Sequence, residues 1–190
     1  VRDPHPLLSP AHDVAYPPRV WGILTGAANL RRYAWTLERA RARPLLDVGC
    51  SWGYESVLLA RECEDVTALD RDMAAVEATR ALARANRVSV EVVRGDAYAL
   101  PFPGAAFPCV CCSEVLEHLA RPEDAVSELA RVCSETLIVT VPAHGAMRST
   151  AGHINDFTPA ALAALLAGAG VVAEEHVTDW PFPYVRGAIL

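Results

Sequence analysis

The chain has 190 residues, which is enough for one domain with a sizeable core. All 17 basic residues are arginine, and this excludes lysine Schiff bases, lysine general bases and the lysine of a P-loop phosphate cradle. The formal net charge of −6 disfavours a nucleic-acid partner, and no uncharged run reaches the ~18 residues that a membrane helix needs. The charge is uneven: residues 1–43 hold seven Arg and three acids, whereas residues 44–190 hold ten Arg and twenty acids.

The predicted elements change in character at residue 44. Residues 1–18 are rich in Pro and His, and residues 19–42 carry apolar side chains at helical spacing. After residue 44, short β-type runs alternate with helical stretches, which is typical of a parallel, doubly wound sheet. Strands are predicted at 44–49, 65–70, 88–96, 106–112, 136–142, 171–177 and 184–190. Helices are predicted at 53–63, 72–86, 122–133 and 158–168, with a short helical turn at 114–120. Only the short segment 178–183, which ends in WPFP, separates the last two strands, so the seventh is expected to run antiparallel.

The six cysteines do not resemble a disulfide framework. Cys109, Cys111 and Cys112 share one predicted strand, on which Cys109 and Cys112 should point to opposite faces of the sheet. That geometry disfavours a redox or zinc pair. All six are interpreted as buried thiols of a reducing compartment, and a cytoplasmic location is expected because the N-terminus lacks the apolar stretch of a signal peptide.

Three successive predicted strands end in an aspartate, namely Asp47, Asp70 and Asp96. Ligands of doubly wound sheets bind at the carboxyl ends of the strands, so these acids are expected to form one site. After Asp47, Gly49 and Gly53 permit a tight turn and close approach of a ligand to the backbone. Asp47 is placed to receive a cationic group, and Asp70 to hold two ribose hydroxyls. The fingerprint GxGxxG is absent, which disfavours an NAD-dependent dehydrogenase.

Over residues 40–175 the sequence resembles the class I S-adenosylmethionine-dependent methyltransferases, particularly their small-molecule branch. LLDVGCSWG is similar to the first motif of that family, with Ser51 where the motif usually has glycine. CSEVLEHL resembles the fourth motif, and HINDFTPAALAALLAGAGV resembles the segment after strand five. The resemblance implies an α/β, Rossmann-like sheet of seven strands in the order 3-2-1-4-5-7-6, with strand 7 antiparallel and helices on both faces. We expect one compact domain, in which residues 44–190 bind S-adenosylmethionine, and the composition of residues 1–43 leads us to expect an N-terminal helical lid segment there.

The resemblance assigns a role to each strand-tip acid. It implies that S-adenosylmethionine is the cofactor, that Asp70 takes its ribose hydroxyls, and that Asp96 accepts from its adenine amino group beside the Ala97 amide. The expected cofactor-binding residues are Asp47, Gly49, Cys50, Ser51, Gly53, Asp70, Arg71, Asp96, Ala97 and Ser113. Because the sulfonium is already activated, the expected reaction is in-line methyl transfer to a small-molecule acceptor, with oxygen favoured.

Glu114, Glu117 and His118 have i, i+3, i+4 spacing, which predicts one helical face beside the cofactor pocket. Together with His153 after strand five they could hold one divalent metal ion. This pattern is similar to that of the small-RNA 3′-terminal 2′-O-methyltransferases and the ubiquinone-biosynthesis O-methyltransferases. In the alternative interpretation, His118 or His153 is a metal-free general base and Glu114 only caps the helix or touches the cofactor.

The N-terminal segment has two interpretations. Trp21, Tyr33 and Trp35 could form a lid over the cofactor, and Tyr16, Arg19, Arg31 and Arg32 could face its carboxylate or an anionic acceptor. Alternatively these are core aromatics and a solvated arginine face. Three other functions stay open: a metal-dependent RNA 2′-O-methyltransferase, a dehydrogenase, and a non-catalytic cofactor-binding partner subunit. A small-molecule acceptor is favoured over nucleic acid because the body is acidic, and no membrane partner is expected.

Overall fold

A computed structural model describes residues 27–142, 152–176 and 184–189. Within them seven strands form one sheet in the order β3-β2-β1-β4-β5-β7-β6. The strands are β1 (Leu45–Val48), β2 (Val66–Asp70), β3 (Glu91–Arg94), β4 (Phe107–Ser113), β5 (Cys133–Thr140), β6 (Val171–His176) and β7 (Tyr184–Ile189). Strands β1 to β5 pair in parallel, and β7 is antiparallel to both of its neighbours. The predicted strand order and the antiparallel seventh strand are confirmed.

The helices follow the predicted alternation, with shorter ends. They are α1 (Ala27–Arg39), α2 (Tyr54–Glu62), α3 (Met73–Ala85), α4 (Pro122–Val132) and α5 (Pro159–Gly168). Asp72 caps α3 by accepting from the Ala74 N–H, and Thr158 caps α5 by accepting from the Ala161 N–H. The short helical turn predicted at 114–120 is a single 3₁₀ turn, Leu116–His118. None of the described helices combines the length and the apolar character that crossing a bilayer requires.

The core has two layers, one on each face of the sheet. On one face Cys109 and Cys111 pack with apolar side chains of α1 and α2, such as Leu37 and Leu58. On the other face Cys112 packs with side chains of α4 and α5. Neighbouring positions of β4 therefore point to opposite faces, as predicted, and all six cysteines are buried. Parallel strands covered on both sides leave only their ends for a ligand.

Helix α1 packs directly on the body of the protein. Its Tyr33, Trp35 and Leu37 are buried in the same cluster as Leu45 of β1 and Tyr54 of α2. Trp35 thus belongs to the core, and the Arg39 guanidinium lies over its ring, 4.4 Å from the ring centroid. The expected roles of Tyr16, Arg19 and Trp21, and of the Arg31 side chain, lie outside the described part of the chain.

Candidate active site

A cavity of about 440 Å³ opens at the carboxyl ends of β1, β2, β3 and β4. A second cavity of about 90 Å³ adjoins it, and the two share Gly49, Ser51 and Glu114 in their walls. Strand order reverses between β1 and β4, so the cavities lie at the switch point where doubly wound sheets bind ligands. Of the ten predicted cofactor-binding residues, all but Gly53 line one of these two cavities.

The turn after β1 is held in a left-handed conformation at three positions. Gly49 and Gly53 both have φ of +79°, and Ser51 has φ of +49°. A Cβ on Gly49 would lie 2.3 Å from Cγ2 of Val115, so only glycine fits between β1 and the segment after β4. Ser51, the departure from the family motif, adopts a left-handed backbone that costs energy for a residue with a Cβ. The Ser51 N–H donates to Oδ2 of Asp70 at 2.9 Å.

The Asp70 carboxylate is fixed at the tip of β2 by two backbone donors. Its Oδ2 accepts from the Ser51 N–H and its Oδ1 from the Asp72 N–H, both at 2.9 Å. Each carboxylate oxygen has a second lone pair, so both can accept another hydrogen bond from a ligand in the cavity. Arg71 lines the cavity beside it, and its carbonyl accepts from Nε of Arg94 at 3.1 Å.

Asp96 lies across the same cavity, after β3. Its Oδ1 accepts from the Tyr98 N–H at 3.0 Å, and its carbonyl accepts from the Ala99 N–H at 3.0 Å. This turn orients the exposed carboxylate, and Ala97 beside it completes the wall. Asp70 and Asp96 thus meet in one cavity.

Asp47 lies in a different environment from the other two acids. It is 2% exposed, faces the smaller cavity and accepts a hydrogen bond from Oγ of Ser56. Burial and the nearby Glu55 carboxylate raise the pKa of Asp47. Glu55 accepts from Nη1 of Arg32 at 3.2 Å and from Oγ of Ser113 at 3.0 Å. The smaller cavity therefore offers buried groups of both charges.

The sequence alone does not single out Glu55. Its only signal is its place in the first turn of the helix that follows the glycine turn, where an acid usually serves the helix dipole. Arg32 is buried and paired with this acid, not part of a solvated face. Tyr33 also lines the smaller cavity, with its ring centroid 4.7 Å from that of Tyr54. Part of α1 thus forms the wall of the predicted site.

The expectation that Glu114, Glu117 and His118 share one helical face is wrong. The helix is one 3₁₀ turn that begins at Leu116, and Glu114 precedes it with φ of +57°. The Glu114 N–H donates to the Thr140 carbonyl at 2.9 Å, and its Oε1 accepts from the Thr140 hydroxyl at 3.1 Å. Glu114 is thereby tied to β5 and lines both cavities. Burial raises the pKa of its carboxyl group.

Glu117, His118 and His153 do come together. One ligand atom from each lies within 4.8 Å of the others. Glu117 is 1% exposed, and neither of its carboxylate oxygens has a hydrogen-bond partner among the described residues. The pKa of Glu117 is raised to about 8, mainly because the carboxyl group is buried and secondly because the charge of Glu114 is near. Burying a charged carboxylate without hydrogen-bond partners costs free energy, and a bound ligand or a proton would reduce that cost.

The Gly152 carbonyl determines which nitrogen of the His118 imidazole can bind a ligand. Nδ1 of His118 is 2.9 Å from this carbonyl, which can only accept, so Nδ1 carries a hydrogen and Nε2 is the nitrogen that can offer a lone pair. The rings of His118 and His153 meet edge to face, with centroids 4.6 Å apart. Burial, and then His118, lower the pKa of His153. Neutral imidazole is the form that binds a metal or accepts a proton.

Comparison with known proteins agrees with this geometry. Residues 46–136 match the family model of a methyltransferase domain. A probable S-adenosylmethionine-dependent methyltransferase of Mycolicibacterium smegmatis is 30% identical over 151 residues, which cover 75% of this chain and 57% of that protein. A ubiquinone biosynthesis O-methyltransferase of Pectobacterium carotovorum is 33% identical over 109 residues, which cover 55% of this chain and 45% of that protein.

The fold has close structural counterparts. The crystal structure of a SAM-dependent methyltransferase from Aquifex aeolicus superposes with a TM-score of 0.74 at 17% identity, and the match covers 93% of this chain and 100% of that one. The family model, the relatives and the shared fold support the class I S-adenosylmethionine-dependent methyltransferase family that the motifs indicated. It spans about half the length of the curated relatives described above.

Proposed function

We propose that this chain binds S-adenosylmethionine in the larger cavity and transfers its methyl group to an oxygen atom of a small-molecule acceptor. The observation that carries the proposal is the single cavity that contains Asp70 and Asp96 together with Glu114 and His118. The first pair suits an adenosine, and the second pair supplies groups that can accept a proton. The 33% identity to a ubiquinone biosynthesis O-methyltransferase supports oxygen as the acceptor atom.

The two cavities match the two ends of the cofactor. The remaining lone pairs of Asp70 suit two ribose hydroxyls, and Asp96 with the Ala97 amide suits the adenine edge. The amino-acid end of the cofactor carries an ammonium and a carboxylate. The smaller cavity has acids for the first group, Asp47 and Glu55, and Arg32 for the second.

Methyl transfer requires little chemistry from the protein. The bond from sulfur to methyl carbon breaks as the bond from carbon to acceptor oxygen forms, and its electron pair stays on sulfur as a thioether. The acceptor hydroxyl loses its proton, and Nε2 of His118 is available to accept it because the Gly152 carbonyl holds the hydrogen on Nδ1. The protein aligns the two reactants and excludes water.

As the alternative to a metal-free His118 base, we further propose a divalent metal ion bound by Glu117, His118 and His153. The residues fit, because two imidazoles and one carboxylate form a nitrogen and oxygen donor set, and neither Glu117 oxygen has a hydrogen-bond partner among the described residues. When bound, such an ion would polarise an acceptor oxygen and ease loss of its proton. Glu114 is not part of this group, because its carboxylate is bonded to Thr140.

A metal titration distinguishes a site of three ligands, Glu117, His118 and His153, from the four-ligand set that also includes Glu114. We expect Glu117→Gln and His118→Ala to weaken Mn²⁺ or Zn²⁺ binding by at least about tenfold in calorimetry, because each removes one of three ligands. Glu114→Gln is the matched control and should bind the ion within about threefold of the wild type. Equal affinity in all four proteins would contradict a metal site at this position.

Binding of the cofactor itself is tested by calorimetry with S-adenosylmethionine, S-adenosylhomocysteine and NAD. We expect the first two to bind and NAD not to bind, since the turn after β1 lacks the glycine pattern that receives a pyrophosphate. Binding of NAD alone would overturn the proposed function. A thermal-shift screen of metabolites with S-adenosylhomocysteine present then searches for the acceptor, and transfer of a labelled methyl group identifies it.

A second candidate is methyl transfer to the 2′-oxygen of RNA. The grouping of Glu117, His118 and His153 favours it, because these residues belong to the sequence pattern that is similar to that of the RNA 2′-O-methyltransferases. The net charge of −6 weighs against it. Incubation with a labelled cofactor and a short RNA, in parallel with the metabolite pools, distinguishes the two. Cofactor binding without transfer to either class would favour the non-catalytic partner subunit.

We also propose a reducing, cytoplasmic setting. Burial holds the pKa of the Cys112 thiol well above its usual range and raises the pKa of the Cys133 thiol to about 11. Such thiols stay protonated and unreactive at neutral pH. These cysteines fill space in the core, as the packing around β4 and β5 indicates.

A further inference from the structure

Glu128 and Arg131 lie one turn apart on α4 and bind the backbone of residues 100–105. The Leu100 N–H donates to Oε2 of Glu128 at 2.8 Å, and Arg131 donates to the carbonyls of Leu100 at 3.0 Å and Phe102 at 2.9 Å. The carbonyl of Arg131 accepts from the Ala105 N–H at 2.8 Å. Two more bonds, of 2.6 and 2.7 Å, join the guanidinium to the Glu128 carboxylate. We call this arrangement the α4 clamp.

The clamped segment continues directly into the cavity wall. The turn that orients the Asp96 carboxylate consists of residues 96–99, and its donors are the N–H groups of Tyr98 and Ala99. Leu100, the next residue, is held on both its N–H and its carbonyl by the α4 clamp. The turn itself is tied once more, because the Tyr98 hydroxyl accepts from the Arg121 N–H at 3.1 Å. Movement of residue 100 would therefore move Asp96.

The clamp side chains act at a distance from the ligand. They are 21% and 39% exposed, and neither is among the residues that line the larger cavity in the described part of the chain. An exposed ion pair alone contributes little to stability, but here the same polar atoms also bond three backbone groups of the segment. Three nitrogens of the planar guanidinium take part, an arrangement that a lysine ammonium cannot reproduce.

We infer that Glu128 and Arg131 are positioning residues that set the preference of the site for adenine. By holding residues 100–105 against α4, they keep Asp96 where it can accept a hydrogen bond from the adenine amino group. The inference rests on the proposed function, which places that amino group at Asp96.

The test compares two ligands that differ only at this amino group, S-adenosylhomocysteine and S-inosylhomocysteine. We expect the wild type to prefer the adenosyl ligand by about tenfold, the value of one charge-assisted hydrogen bond. In Arg131→Lys and Glu128→Gln the preference should fall to about twofold. Arg61→Lys is the matched control, because Arg61 bonds Asn86 at 3.0 Å, away from the clamp, and it should keep the wild-type preference. Thermal melts establish that each variant is folded.

Hydrogen exchange tests the clamp without any ligand. The amide hydrogens of Tyr98, Ala99 and Leu100 should exchange at least about tenfold faster in Arg131→Lys than in the wild type or Arg61→Lys. The inference would be overturned by unchanged exchange in Arg131→Lys, or by an equal loss of affinity for both ligands in the clamp variants. It would also be overturned if the wild type did not discriminate between the two ligands. Failure of the wild type to bind S-adenosylhomocysteine would instead overturn the proposed function, while the exchange rates would still decide whether the clamp holds the turn.

Discussion

Replacing Asp70 by asparagine should weaken S-adenosylhomocysteine binding by about 100-fold, the loss of two charge-assisted hydrogen bonds to the ribose. The variant also disturbs the turn after β1. Both oxygens of Asp70 accept from a backbone N–H, so the new NH₂ group would have to face Ser51 or Asp72, each of which presents a donor. Calorimetry measures the dissociation constant directly.

The matched control for Asp70 lies at the other end of the same strand. Asp65 precedes β2, is exposed, and has φ of +61°, a conformation that asparagine tolerates well. Asp65→Asn makes the same chemical change and should leave the dissociation constant unaltered. An Asp70→Asn variant that still bound within about threefold of the wild type would show that this carboxylate does not hold the ribose.

Replacing Gly53 by alanine should lower the free energy of unfolding by about 3 kcal/mol. A Cβ at this position would lie 2.8 Å from Cα of Thr79, a backbone atom of α3 that cannot rotate away, and φ of +79° disfavours any residue with a Cβ. Gly53 is the N-cap residue of α2, so α2 and α3 would have to separate. In thermal melts the midpoint should fall by roughly 6–12 °C.

Gly168 provides the control for this substitution. It is the last residue of α5, and a Cβ there would have no neighbouring atom within 4 Å. Gly168→Ala should change the midpoint little or raise it slightly, because alanine favours a helix. If Gly53→Ala melted at the same temperature as Gly168→Ala, the close approach of α2 to α3 would not limit stability.

The alternation of strands and helices could be predicted because it is local. Each strand is a short apolar run, and the covered faces of the sheet make that run continuous. The tips of the strands could be predicted for the same reason. Since parallel strands end on one edge, Asp70 and Asp96 had to approach each other wherever the intervening helices lay.

The segment after β4 could not be predicted from spacing alone. Helical spacing places Glu114 with Glu117, but the bonds of Glu114 to Thr140 hold its backbone in a left-handed conformation and stop the helix from starting there. Those bonds join residues 26 positions apart. Spacing alone does not single out Glu55 or decide between the two interpretations of Arg32 for a similar reason, since their contact joins α1 to α2 across 23 positions. Burial of such polar groups depends on tertiary packing.

The position of β7 has a consequence for how the sheet is completed. This strand pairs with β5 on one side and β6 on the other, although it follows both along the chain. Until β7 has paired, the β5 edge has no neighbour on that side and β6 has no strand joining it to the sheet in the described part of the chain. An unpaired β5 edge would be a template for pairing with another chain. Insertion of β7 therefore covers an edge that would otherwise favour aggregation.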